Sequence, residues 1–215
     1  MSLDDEKRVA ADAAAELVED GMTVGLGTGS TVAHLLAAVA RRGKDIRCVS
    51  TSPRTEEAAR ALGIRTESFD DITALDLAID GADQVSPDWW LVKGGGAAHT
   101  REKLVAAAAA RFVVIVDSSK LVDRITAPIP LELLAFGLGS TLARLRDAGL
   151  RDVPRTPDGG VIADYLGAVG DPAALAAALS GTPGIVDHGL FPPEMVAAIV
   201  VGEGDEARWL DRLPG

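Results

Sequence analysis

Cysteine is almost absent: Cys48 stands alone among 215 residues, so no intramolecular disulfide can form and the fold must rest on its core. Lysine is nearly as scarce, five against sixteen arginines. Clustered cationic runs are missing, and a formal net charge of −11 argues against nucleic acid as a partner, because non-specific binding needs basic patches that release counterions. Apolar runs such as "LVAAAAARFVVIVD" are broken by charge before the roughly 18 residues of a membrane span. The N-terminal "MSLDDEKRVAADAAAELVEDG" lacks the cationic segment, apolar stretch and cleavage site of a signal peptide. These absences predict a cytoplasmic protein that starts at Met1, with no membrane partner. His34, His99 and His188 are scattered, so no zinc spacing exists and no metal is expected. No G-x-S-x-G elbow appears, which leaves a serine hydrolase unsupported.

What is present is an alternation. Helical periodicity runs from Asp4 to Val18 and stops at Gly21. "MTVGLGTGSTVAHLLAAVARRG" then reads as strand, glycine turn and helix. "IRCVSTS", "IRTESF", "LDLAIDGADQV" and "RFVVIVDSSK" read as strands, and "PRTEEAARALG" as a helix with proline in its first turn and glycine past its end. Such alternation predicts an α/β fold, a Rossmann-like parallel sheet flanked by helices. Ligands gather at the carboxyl ends of the strands in such sheets. Residues 27–31, 50–52, 80–83, 93–96 and 117–120 are expected on that rim. Beyond "TAPIPLELL" the texture shifts to a smaller α+β unit of ferredoxin-like size. The expected division is 1–126 plus 199–215 for the main domain and 127–198 for the small one, with "MVAAIVVGE" returning to the main sheet as a late strand.

Two glycine loops carry the chemistry. "VGLGTGSTVAHLL" opens a helix, where unpaired amides and the helix dipole favour an anion, and the hydroxyls of Thr28, Ser30 and Thr31 suit a terminal phosphate. Its G-x-G-x-G spacing matches neither the dinucleotide fingerprint nor the P-loop. "VKGGGAAHTREK" sets three costly glycines before a helix that Thr100 can cap and whose first turn holds Glu102. Asp80 and Asp83 flank the turn of "DGAD". Either aspartate alone would be an ordinary turn cap, and His99, Trp89 and Trp90 read as packing or rim residues.

In this order and at these separations, "GLGTGST", "IDGADQV", "LVKGGGAAHTREK" and "VDSSKLV" closely resemble ribose-5-phosphate isomerase of the A type. The resemblance covers most of residues 1–125 and continues more loosely through "PIPLELL", "DPAALAAAL" and "PGIVDHGLF". It departs where the family often carries an asparagine-containing "DNGN" turn and this chain reads "PDGGVIADYLGAV", and in the closing "GEGDEARWLDRLPG". The resemblance implies interconversion of D-ribose 5-phosphate and D-ribulose 5-phosphate in the non-oxidative pentose phosphate pathway, without metal or organic cofactor, by a homodimer or homotetramer. It implies Glu102 as general base, Asp80 and Asp83 as partners of sugar hydroxyls, and Lys93 with the Gly94, Gly95 and Gly96 amides as stabilisers of the reacting oxygens. Lys7, Thr28, Gly29, Ser30, Thr31, Gly81, Ala82 and Lys120 would complete the substrate contacts. The alternatives on the same architecture are a non-catalytic sugar-phosphate sensor and a coenzyme A transferase-like enzyme.

Overall fold

The structure, a computed structural model, describes residues 2–211. In chain order its elements are α1 (Leu3–Ala15), β1 (Thr23–Leu26), α2 (Ser30–Arg42), β2 (Arg47–Ser50), α3 (Pro53–Ala61), β3 (Thr66–Glu67), β4 (Leu77–Gly81), β5 (Gln84–Val85), β6 (Leu91–Val92), α4 (His99–Ala108), β7 (Phe112–Asp117), β8 (Ile129–Leu133), α5 (Leu138–Arg144), β9 (Ala148–Leu150), β10 (Val161–Tyr165), α6 (Pro172–Ser180), β11 (Ile185–His188), β12 (Leu190–Phe191), β13 (Ala198–Glu203) and β14 (Glu206–Asp211). They form two compact units. The first runs up to Ala82 and includes Arg101–Leu121 and the residues from Glu194; the second is Asp83–Thr100 with Val122–Pro193.

The first unit is built on a seven-stranded sheet in the order β14-β13-β7-β4-β1-β2-β3. All neighbours pair in parallel except the β13–β14 hairpin. Side chains alternate across the sheet, and the sequence exploits this. Val24, Leu26, Leu77, Ile79, Val113 and Ile115 share one core with the apolar stripes of α1 and α2. The residues between them, Gly25 and Asp80 included, point to the opposite face. There Gly25 makes room for α4, since a Cβ at that position would lie 2.4 Å from Val105 Cγ1. "MVAAIVVGE" does return to the main sheet as β13, parallel to β7.

The second unit holds two smaller antiparallel sheets. One has the order β11-β8-β10-β9, which in βαββαβ connectivity is the four-one-three-two order of a ferredoxin-like fold. The other joins β5, β6 and β12. Residues 83–100 therefore group with the second unit, whereas the expected boundary fell after residue 126. Hydrogen bonding explains the difference: β6 pairs with β5 and β12, not with the seven-stranded sheet. For the same reason Lys93–Gly96 do not follow a strand of the main sheet, as the expected rim required. Helix α5 is short, ending at Arg144, and Ala148–Leu150 form strand β9.

Candidate active site

In the first unit, the carboxyl ends of four parallel strands carry residues 27–31, 50–52, 80–82 and 117–120, as expected. β1 and β4 are in register from Val24 and Leu77 onward, which brings Gly27 beside Asp80. A Cβ on Gly27 would lie 1.9 Å from Asp80 Oδ1, so only glycine lets the carboxylate sit there. Asp80 Oδ1 accepts the amides of Thr28 at 3.0 Å and Gly81 at 2.7 Å, and the side chain is buried. Backbone geometry thus fixes its orientation.

Glu102 lies in the first turn of α4, on the same helix face as Val105 and Ala106, and is 4% exposed. Its side chain borders one tight packing gap, too small for a water molecule, together with Gly25, Gly27, Thr51, Asp80 and Phe112. Two carboxylates and a glycine-rich turn, distant in sequence, therefore meet at one end of the sheet. Beside them is a cluster of hydroxyls that no local sequence signal brings together. Thr28 Oγ1 stands 2.8 Å from Thr51 Oγ1 and 2.9 Å from Ser52 Oγ, with Thr55 Oγ1 at 3.4 Å. Ser52 caps α3, accepting from the Thr55 amide at 3.2 Å, and Pro53 occupies the first turn. The cap-and-proline signal was readable as a helix start; its nearness to Thr28 was not.

Gly29 precedes α2 with φ 134° and caps it without any side-chain hydrogen bond. No cap side chain accepts from the first-turn amides of α2, and the helix dipole makes this end electropositive. Lys7 sits in α1 next to Glu6, whose carboxylate accepts from the Ser118 amide at 2.9 Å, the Ser118 hydroxyl at 2.6 Å and the Gly204 amide at 3.2 Å. The Ser118 hydroxyl is the largest cause, followed by the Ser118 and Gly204 amides, of a Glu6 carboxyl held below the usual range. Lys120 ends the short 3-10 turn Ser118–Lys120 that this carboxylate grips.

In the second unit, the triple glycine has a steric reason. Gly94 adopts φ 102°, and a Cβ there would lie 2.7 Å from His99 Nδ1 and 2.8 Å from Pro130 Cβ. A Cβ on Gly95 would lie 2.8 Å from Asp83 Oδ1, while its amide donates to Asp83 Oδ2 at 2.8 Å. Ala97 closes the turn, its amide donating to the Gly94 carbonyl at 3.0 Å. Lys93 is buried, with its ammonium 5.4 Å from the Phe191 ring centroid; its amide donates to the Gly189 carbonyl at 2.9 Å. His99 is fully buried, as a packing residue should be.

Among the described residues, no group of three or more His, Cys, Asp or Glu side chains is placed to hold a metal ion, and no helix is long and apolar enough to cross a membrane.

Comparison with known proteins follows the same lines. The family described as ribose 5-phosphate isomerase A (phosphoriboisomerase A) matches residues 47–206. Ribose-5-phosphate isomerase A of Caulobacter sp. (strain K31) is 48% identical, over 89% of this chain and 91% of that protein. The crystal structure of ribose 5 phosphate isomerase A from Neisseria gonorrhoeae superposes with a TM-score of 0.93 at 31% identity, covering 99% of each chain. A D-ribose-5-phosphate isomerase in complex with phospho-erythronic acid superposes with a TM-score of 0.92 at 33% identity, over 99% of this chain and 100% of the other. With nearly half its residues shared across almost its whole length, and the same fold, this chain belongs to the ribose 5-phosphate isomerase A family.

Proposed function

We propose that this protein interconverts D-ribose 5-phosphate and D-ribulose 5-phosphate with Glu102 as the base. The observation that carries the reading is the buried Glu102 carboxylate, grouped with buried Asp80 at the end of the sheet where the glycine turn leads into α2, whose start has no side-chain cap. Moving from aldose to ketose takes a proton from C2 and places one on C1, with a planar enediolate between them. A single carboxylate over that plane does both jobs, and no atom is gained or lost. The α2 amides with Thr28, Ser30 and Thr31 hold the phosphate, joined by Lys7 and Lys120.

Asp80 assists ring opening, moving the proton between the anomeric hydroxyl and the ring oxygen. Two backbone amides steady the carboxylate that does so. Lys93 and the amides of Gly94, Gly95 and Gly96 stabilise the reacting oxygens, and preorganised donors of this kind are usually the largest catalytic contribution. Asp83 and the Gly81–Ala82 backbone contact sugar hydroxyls. Phospho-erythronic acid, the ligand of the similar structure, supports the route chemically: its planar carboxylate bears two oxygens on one carbon, much as the enediolate presents two oxygens on adjacent carbons. The place of the reaction is the non-oxidative pentose phosphate pathway of the cytoplasm, and the working form is a homodimer or homotetramer that needs no cofactor.

Glu102→Gln tests the assignment. It should bind ribose 5-phosphate with KM within a few-fold of the parent and lose about 10²- to 10⁴-fold in kcat, the range of general-base contributions. A near-normal kcat would remove Glu102 as base, and absence of ketose product from the unaltered protein would remove the activity itself.

A further inference from the structure

The second unit contains an ion pair with an unusual attachment. Arg151, just past β9, binds Asp164 of β10 in the bidentate manner, Nε to Oδ2 at 2.6 Å and Nη2 to Oδ1 at 2.5 Å. The two side chains are 19% and 17% exposed. The remaining edge of the guanidinium is engaged as well. Nη1 donates to the Gly94 carbonyl at 2.9 Å and the Gly95 carbonyl at 3.3 Å. The backbone holds the arginine too, since its amide continues the β9–β10 ladder to the Ile162 carbonyl at 3.0 Å.

In a trans peptide the carbonyl and the following amide point in opposite directions. The unit between Gly94 and Gly95 is therefore stretched between two charges, its carbonyl on Arg151 and its amide on Asp83. The next unit has its carbonyl on Arg151 as well, which turns the Gly96 amide away from the guanidinium. A cation on a carbonyl also polarises the peptide and strengthens the amide at its other end as a donor. Glycine is the residue least able to hold such an orientation unaided. A mostly buried ion pair is weak evidence for stability, so orientation gives Arg151 and Asp164 a better account.

We infer that Arg151, braced by Asp164, is a positioning residue that fixes the peptide planes of the Gly94–Gly96 loop and aims the Gly96 amide at the reacting oxygens. The inference rests on the proposed role of that loop. Lysine cannot substitute, because one ammonium lacks the planar fork that spans a carboxylate and two carbonyls.

The test compares Arg151→Lys, Asp164→Asn and Lys93→Met with the parent by steady-state kinetics on ribose 5-phosphate and by inhibition with phospho-erythronic acid. Arg151→Lys should lower kcat about 10- to 100-fold, as small misplacements of reacting groups do, with KM changed less than about three-fold and phospho-erythronic acid inhibition weakened in parallel with kcat/KM. Asp164→Asn should do the same to a smaller degree. The double variant should be no worse than Arg151→Lys alone, because the two act as one unit. A parental kcat in folded Arg151→Lys beside a crippled Lys93→Met overturns the inference and leaves the loop reading intact. Parental kcat in Lys93→Met overturns the loop reading itself. Should Arg151→Lys not fold, Asp164→Asn decides: a parental kcat and unchanged inhibition in it overturn the inference.

Discussion

Gly27→Ala isolates one of the two closest approaches that glycines permit among the described residues of the first unit. The added Cβ would lie 1.9 Å from Asp80 Cγ and Oδ1 and 2.5 Å from Asp80 Cβ, where ordinary contact begins at 3.4 Å. The carboxylate must therefore retreat by about 1.5 Å, the difference of those distances. It cannot do so while holding the Thr28 and Gly81 amides at 3.0 and 2.7 Å. Two hydrogen bonds to a charged group, at about 1.5–3 kcal/mol each, put about 3–6 kcal/mol at risk. That is a large share of the roughly 5–15 kcal/mol that holds a domain together. With a urea slope of about 2–3 kcal/mol/M, the unfolding midpoint followed by circular dichroism should fall by roughly 1–3 M. Gly81→Ala is the control, since its Cβ would meet nothing closer than the Ile115 carbonyl at 3.7 Å, and it should shift stability by less than about 1 kcal/mol. In an Asp80→Gly background the cost of Gly27→Ala should largely disappear, because the two residues compete for one space. A Gly27→Ala variant as stable as the parent, or a cost unchanged by Asp80→Gly, would refute the steric reasoning.

Glu6→Gln should make stability less dependent on acid. The Glu6 carboxyl is held below its ordinary value, about 4.3, by the Ser118 hydroxyl first and then by the Ser118 and Gly204 amides. Its contribution is therefore complete above the unfolded-state value and lost as pH falls through the lower folded value. Melting temperatures measured from pH 7 to pH 3 should show the parent ahead at pH 7 and the gap closing below about pH 4; a gap constant across that range would contradict the role. Cys48 is fully buried, and burial first, with the Glu67 charge second, pushes its thiol up to about 12. At pH 8 a thiol reagent should label the native protein only as fast as the protein opens, and the urea-unfolded chain within seconds to minutes. Rapid native labelling would show that the site is not closed.

Much of the first unit was legible because its signals are local. The turn "GLGTGST" carries its own reason in glycine, hydroxyl and helix start, and the "FVVIV" that leads to Asp117 is apolar at every position because β7 is covered on both faces. Strands β5 and β6 have two residues each, too few for any periodicity, so the small sheet that leads into Lys93–Gly96 left no trace in the pattern. The hairpin strand β14 carries only a weak local signal, Ala207 and Trp209 alternating with charged neighbours and packing on the main core, in a segment where the family resemblance departs. Glu102 and Asp80 were legible as motif members, while the reason for their neighbours is spatial. Gly27 is glycine because of a residue 53 positions away, and Arg151 meets a loop more than 50 residues earlier in the chain. No window of sequence contains those pairs.

The hairpin strand β14 has a protective consequence. Without it, the five buried residues that open β13 would end the sheet in a bare apolar ribbon of unpaired amides and carbonyls, an invitation to strand addition and fibril growth. With it, the outermost position goes to a strand whose Glu206, Arg208 and Asp211 are exposed. A second strand adding to this border would have to strip water from those charges, so the same six residues that finish the sheet also discourage its propagation.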